Sequence, residues 1–132
     1  FSPAAEDGDS EQIPAARLTF SPAGARLFTY SSDLSSPNGD AADWIAFTPY
    51  GPPNQSSYIY LELRCAGNGG ITATLEQGGV PMPGVQPLVC GIYDLAVKVI
   101  GGQEYMLILT ADGSGSDLRY VSYTLTLAVA RK

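Results

Sequence analysis

The sequence predicts an all-β domain, an antiparallel β-sandwich or jelly roll of about seven or eight strands. Three observations predict it. Apolar residues recur at every second position through several runs, the period of a strand with one buried face. Turn residues break those runs at intervals of roughly 8–12 residues. No window keeps a helical period over three turns. The chain has 132 residues, enough for one domain with a real core and too few for two.

The elements follow in chain order. Residues 1–16 hold four acids and no base up to Ala16, with Pro3 and Pro14, and read as an acidic N-terminal arm or linker. The domain proper is expected over 17–132. Arg26–Leu34 and Trp44–Thr48 read as strands, with Ile45 and Phe47 facing the core. The clearest alternation runs from Tyr58 to Cys65. It sets Ile59, Leu61, Leu63 and Cys65 on one face and Tyr58, Tyr60, Glu62 and Arg64 on the other.

A Gly-Asn-Gly-Gly turn follows at 67–70, then a run with Ile71, Ala73 and Leu75 on one side. These two runs are expected to form a hairpin. Pro81, Pro83 and Pro87, with Gly78, Gly79 and Gly84, mark a long loop, because proline cannot donate to a sheet ladder. Tyr93, Leu95, Val97 and Val99 form the next inward face, and Gly101-Gly102 turns the chain. Glu104–Thr110 is apolar on both faces, as suits a central strand. The last strand places Val121, Tyr123, Leu125, Leu127 and Val129 inward.

Composition narrows the function classes. Hydrophobic residues make up 45% of the chain and charged residues 15%, the latter below the roughly 25% of ordinary soluble domains. Low charge with many Thr, Ser, Gly and Tyr suits an extracytoplasmic β-protein. The formal net charge of −6 disfavours a nucleic-acid partner, whose phosphates are met by Lys and Arg. No apolar run approaches the roughly 20 residues of a membrane-spanning helix. The chain opens on Phe1 rather than Met, and reads as a mature form from which a targeting segment has been removed.

There is no histidine, so a Ser-His-Asp or Cys-His arrangement is impossible. The only lysines are Lys98, in mid-strand, and Lys132. No glycine-rich phosphate loop precedes a helix. The chain therefore reads as a non-enzyme. Cys65 and Cys90 are the only cysteines. A disulfide between them suits the extracytoplasmic composition, and two reduced, buried thiols are the alternative. Paired, they close a loop of about 25 residues, worth roughly 3–4 kcal/mol in the chain-entropy model.

Two constellations carry candidate chemistry. Asp40 and Asp43 lie three residues apart beside Trp44, after the turn Ser36-Pro37-Asn38-Gly39. Two such carboxylates can converge on a hard cation, and calcium needs more oxygens than two acids supply. Glu6 and Asp9 of the arm are the candidates to complete the set. Turn capping by Asp is the bland alternative. The second constellation is the outward pair Tyr58 and Tyr60, with Tyr50 and Tyr120 expected nearby. Aromatic rings of this kind suit sugar rings or extended peptides, and otherwise serve as a cross-strand pair. Trp44 reads as a packing residue at the strand start.

The combined order of motifs resembles the bacterial pre-peptidase C-terminal domain. The acidic opening is Glu6-Asp7-Gly8-Asp9-Ser10, followed by Ala15 or Ala16. The Asp turn leads into Asp40, Asp43, Trp44 and Phe47. A Gly-x-x-Tyr strand is carried by Gly102 and Tyr105, and the final strand by Tyr123, Leu125 and Leu127. Gly8 stands where relatives have an Asn side chain. The resemblance implies a β-sandwich appended to secreted bacterial enzymes, a non-catalytic module that binds substrate or assists secretion. It also implies calcium held by Glu6, Asp9, Asp40 and Asp43, and a polymer-contacting face that includes Tyr58 and Tyr60. The partner is expected to be a protein or a polysaccharide. A stand-alone cell-surface or lipoprotein domain, and a carbohydrate-binding module, are the rival readings.

Overall fold

The computed structural model describes residues 16–20, 27–36, 42–50, 56–82, 85, 87–91, 95–112 and 119–128. These residues form ten strands: β1 (Ala16–Thr19), β2 (Leu27–Ser36), β3 (Ala42–Thr48), β4 (Ser56–Gly67), β5 (Ile71–Gln77), β6 (Val80–Pro81), β7 (Leu88–Val89), β8 (Leu95–Ile100), β9 (Tyr105–Ala111) and β10 (Arg119–Ala128). Two exceed the expected count trivially, since β6 and β7 hold two residues each. Both lie in the proline-rich stretch, and Pro81 sits on an edge, where its missing N–H costs no ladder bond.

The strands make two packed sheets, so the protein is a β-sandwich. One sheet runs β1-β3-β9-β5-β6, with β7 also on β5, and the other runs β2-β10-β4-β8. Period-two patterning places the core between them. From the first sheet come Ile45, Phe47, Leu75, Tyr105, Leu107 and Leu109, and from the second Leu34, Ile59, Leu61, Leu63, Val121, Leu125 and Leu127, all buried. Fully burying one such Leu or Ile contributes about 1.5–3 kcal/mol. The T-shaped Phe20–Phe28 pair and the stacked Phe47–Tyr105 pair fill parts of this layer with flat rings.

Strand β9 is central, between β3 and β5, which explains why its sequence is apolar on both sides. Its outward Met106 and Ile108 are half-buried, with Ile108 opposite Trp44 across the β3 ladder. Among the described residues the one parallel pairing is β1 with β3.

The expected hairpin between the Tyr58–Cys65 and Ile71–Leu75 runs does not form. Strand β4 pairs with β10 and β8, while β5 pairs with β9 in the opposite sheet. The Gly67–Gly70 segment is a corner between sheets. Gly67 has φ of 133°, and a Cβ there would lie 2.3 Å from the Tyr120 carbonyl oxygen. Asn68 holds the corner by receiving the Tyr120 N–H on Oδ1 at 2.7 Å, while its own N–H reaches the Tyr120 carbonyl at 3.0 Å. The same crossing recurs from β1 to β2, β2 to β3, β3 to β4, β8 to β9 and β9 to β10, whereas β5 is followed by β6 and β7 of its own sheet.

Cys65 and Cys90 form a disulfide, with a Cα–Cα distance of 5.6 Å. The bond ties the two layers, because Cys65 is in β4 and Cys90 follows β7 on the opposing sheet. A backbone bond from Gly91 N–H to the Leu63 carbonyl, 2.9 Å, reinforces the same crossing.

Candidate functional site

No other described strand covers the outer face of the four-stranded sheet, and its chemistry follows from strand parity. With Val121, Tyr123, Leu125 and Leu127 turned inward, β10 shows Tyr120, Ser122, Thr124, Thr126 and Ala128 outward. Register then aligns the neighbours. Asp33, Ser122 and Ala66 form one row across the sheet, and Ser31, Thr124 and Arg64 the next. Thr29, Thr126 and Glu62 follow, then Leu27, Ala128, Tyr60 and Ala96.

The polar end of this face holds a groove of about 500 Å³, lined by Ser31, Asp33, Arg64, Tyr120, Ser122 and Thr124 among others. Its walls are tied by side-chain bonds. The Tyr120 hydroxyl donates to Asp33 Oδ2 at 2.9 Å. Ser31 and Thr124 hydroxyls lie 3.0 Å apart, and the Ser122 hydroxyl donates to the Ala66 carbonyl at 3.2 Å. Arg64 Nε donates to Glu62, two positions along the same strand face. The hydrogen bond to Asp33, then burial and the charge of that carboxylate, hold the Tyr120 phenol above its ordinary pKa. Tyr120 therefore stays a protonated donor at every physiological pH.

The other end is apolar. Leu27 is 61% exposed and Tyr58 is 51% exposed, with half-buried Tyr60 between β10 and β8. Tyr58 stands opposite Lys98. The structure thus brings Tyr58 and Tyr60 together, as expected. Tyr120 is not their neighbour: its row lies eight residues along β10 from that of Tyr60, about 26 Å in a strand. Residue count hid this, since β10 is antiparallel to β4 and only register says which ends meet. Tyr50 is exposed just beyond β3.

Asp43 is placed differently from the turn position its sequence neighbourhood implied. It is the second residue of β3, opposite Leu109 on the core face, and it is 0% exposed. The Tyr123 hydroxyl, from the facing sheet, donates to its Oδ2. Asp43 and Tyr123 thus form a polar link between layers inside an otherwise apolar core. Its carboxylate is turned away from the surface on which a loop-bound cation would sit. Glu6, Asp9 and Asp40, the other candidate calcium ligands, lie outside the described residues. Among the described residues no group of three or more His, Cys, Asp or Glu side chains is placed to hold a metal ion.

Sequence reasoning missed the groove. Asp33, Ser31, Ser122 and Thr124 carry no motif, and they meet only because β2 and β10, some ninety residues apart in the chain, are paired along ten rungs. The available signal was the alternation itself: the polar members of β10 had to face something.

No protein-family model and no curated protein matches the chain. Among solved structures it is similar to a mutant of PliG-Ec, a periplasmic lysozyme inhibitor of g-type lysozyme from Escherichia coli. The identity is 10%, with 85% of this chain and 97% of that chain covered, and the TM-score is 0.42. So distant a likeness carries no function to this protein. Among the described residues no helix is long and apolar enough to cross a membrane.

Proposed function

We propose that this protein is a non-catalytic, extracytoplasmic binding module of the pre-peptidase C-terminal type, which holds a polymer against the outer face of the β2-β10-β4-β8 sheet. The observation that carries the reading is that face itself: a polar groove at one end, exposed Tyr58 with Tyr60 at the other, and a continuous pleated surface between them. Aromatic rings with a polar tip are the side chains that such surfaces use for contact. The Cys65–Cys90 disulfide supports an oxidising compartment. The lack of any histidine supports a role in binding rather than in proton transfer. The resemblance to pre-peptidase C-terminal domains supports the accessory role, the module working beside a secreted enzyme.

The test is retention of the protein on immobilised gelatin and on immobilised polysaccharides, repeated with the Tyr58→Ala/Tyr60→Ala double variant. The reading expects retention on at least one polymer, lost in the variant while cooperative melting persists. A wild-type protein retained by none of these polymers ends it. In the same proposal calcium is held by Glu6, Asp9 and Asp40, without the core-facing Asp43. Melting in millimolar calcium against a chelator checks this, because a ligand of the folded state must raise the melting temperature; an unchanged temperature removes calcium from the account.

A further inference from the structure

We infer that the polymer held on this face is a neutral polysaccharide, lying along the strands with its hydroxyl groups in the Asp33–Arg64 groove and its C–H faces on Tyr60 and Tyr58. The inference rests on the binding-module reading and assigns the chemistry of the ligand.

Charge is the first argument. The chain as a whole carries −6. Yet the outward charges on the described residues of these four strands are Asp33, Glu62, Arg64 and Lys98, two of each sign. A locally balanced patch gives neither a polycation nor a polyanion a matching row of opposite charges. It suits an uncharged ligand.

Hydrogen-bonding capacity is the second. Asp33 Oδ2 is taken by Tyr120, while Oδ1 receives no hydrogen bond from the described residues and remains an acceptor. Ser31 and Thr124, whose mutual bond uses one hydroxyl hydrogen, leave one donor and spare lone pairs, Ser122, already donating to the Ala66 carbonyl, adds an acceptor, and the Arg64 side chain is 65% exposed. Asp33 and Arg64 stand on opposite sides of β10, one row apart. A ligand between them meets an acceptor on one flank, a multiple donor on the other and hydroxyls beneath. A ring bearing several hydroxyls, each donor and acceptor at once, satisfies all three. An extended peptide finds its main-chain partners at a sheet edge, and this face has its backbone bonds already made within the sheet.

The third argument is the order of the two ends. From the Asp33 row to the Tyr60 row is six residues of β10, and Tyr58 lies two further along β4. That is about 20–27 Å of nearly straight strand, long enough for several pyranose rings end to end. Sugars are amphipathic in the required way, with polar rims and apolar C–H faces that stack on Tyr.

The experiment is electrophoresis of the whole protein through native gels cast with mixed-linkage β-glucan, xylan, galactomannan, polygalacturonate or gelatin, at low and high salt. We expect retardation by at least one of the three neutral polysaccharides, with little dependence on salt. Asp33→Asn and Tyr60→Ala should each raise the dissociation constant about tenfold or more, with native circular dichroism retained. Glu76→Gln, on the outer face of the other sheet, is the control and should change nothing. Retardation by gelatin alone, or by polygalacturonate alone with steep salt dependence, overturns the neutral-polysaccharide assignment and leaves the binding-module reading standing. Neutral-polysaccharide binding indifferent to both substitutions overturns the site. Mobility unchanged in every gel overturns both readings.

Discussion

Replacing Cys65 and Cys90 together with Ala is the sharpest test of how the sandwich is held. The bond closes a separation of 25 residues. Chain-entropy arithmetic for a loop of that length gives about 12 cal/mol/K, or roughly 3.5 kcal/mol at room temperature. Unfolding entropy near the midpoint is about 2.1 cal/mol/K per residue, so a chain of 132 residues should melt roughly 12 °C lower without the bond. The loss should also be local. The residues before Cys90 are held to the six-stranded sheet by two rungs of β7 on β5 and two of β6 on β5. Leu88, 1% exposed, is the main apolar anchor of that stretch. Calorimetry of the double variant measures the global term. Amide exchange at Gly91, whose N–H bonds the Leu63 carbonyl, and at Met82, whose N–H bonds the Leu75 carbonyl, measures the local one. The Gly91 amide should lose protection first, since it lies on the far side of the missing tie. A melting temperature unchanged within error, with Gly91 still protected, would show that apolar packing alone seats the 78–91 segment and that the entropic reasoning is wrong for this protein.

Three further outcomes follow from particular contacts. Tyr123→Phe deletes the hydroxyl that donates to the buried Asp43 and should cost about 1–3 kcal/mol in urea unfolding, since it takes a donor from a buried carboxyl oxygen; a cost near zero would mean that Asp43 is satisfied without it. Tyr120→Phe should flatten the alkaline limb of the stability curve: the folded-state pKa is raised, so the native state binds more protons than the unfolded one above about pH 10 and wild-type stability is lost as pH rises through the folded value. Urea midpoints from pH 8 to 11 check this, and parallel curves for the two proteins would refute it. Gly67→Ala should destabilise by about 2–3 kcal/mol, because an L side chain at φ 133° also drives its Cβ into the Tyr120 carbonyl; a silent substitution would mean the corner is not held as described.

Much of this architecture was written in the alternation of residues, and some of it was not. The inward faces of β4, β5, β9 and β10 could be read residue by residue, because a strand packed on one side must present an apolar residue at every second position. The central place of β9 was legible for a related reason: a strand with neighbours on both sides, and little water on either face, has no call for polar residues. Tyr58 and Tyr60 were recognisably outward from the same period. Pairing was another matter. Alternation says which way a side chain points but not which strand lies beside it, and adjacency in sequence wrongly suggested a β4–β5 hairpin. Glycines at 67–70 serve a turn within one sheet and a corner between two equally well, and only the stacking of the sheets chose the corner. That choice placed Cys65 across from Cys90, sent Asp43 inward to Tyr123, and gathered Asp33, Ser31, Thr124 and Arg64 around one groove. Chemistry set the inside and outside of each strand; long-range hydrogen bonding and the packing of one layer on another decided which outsides became a site.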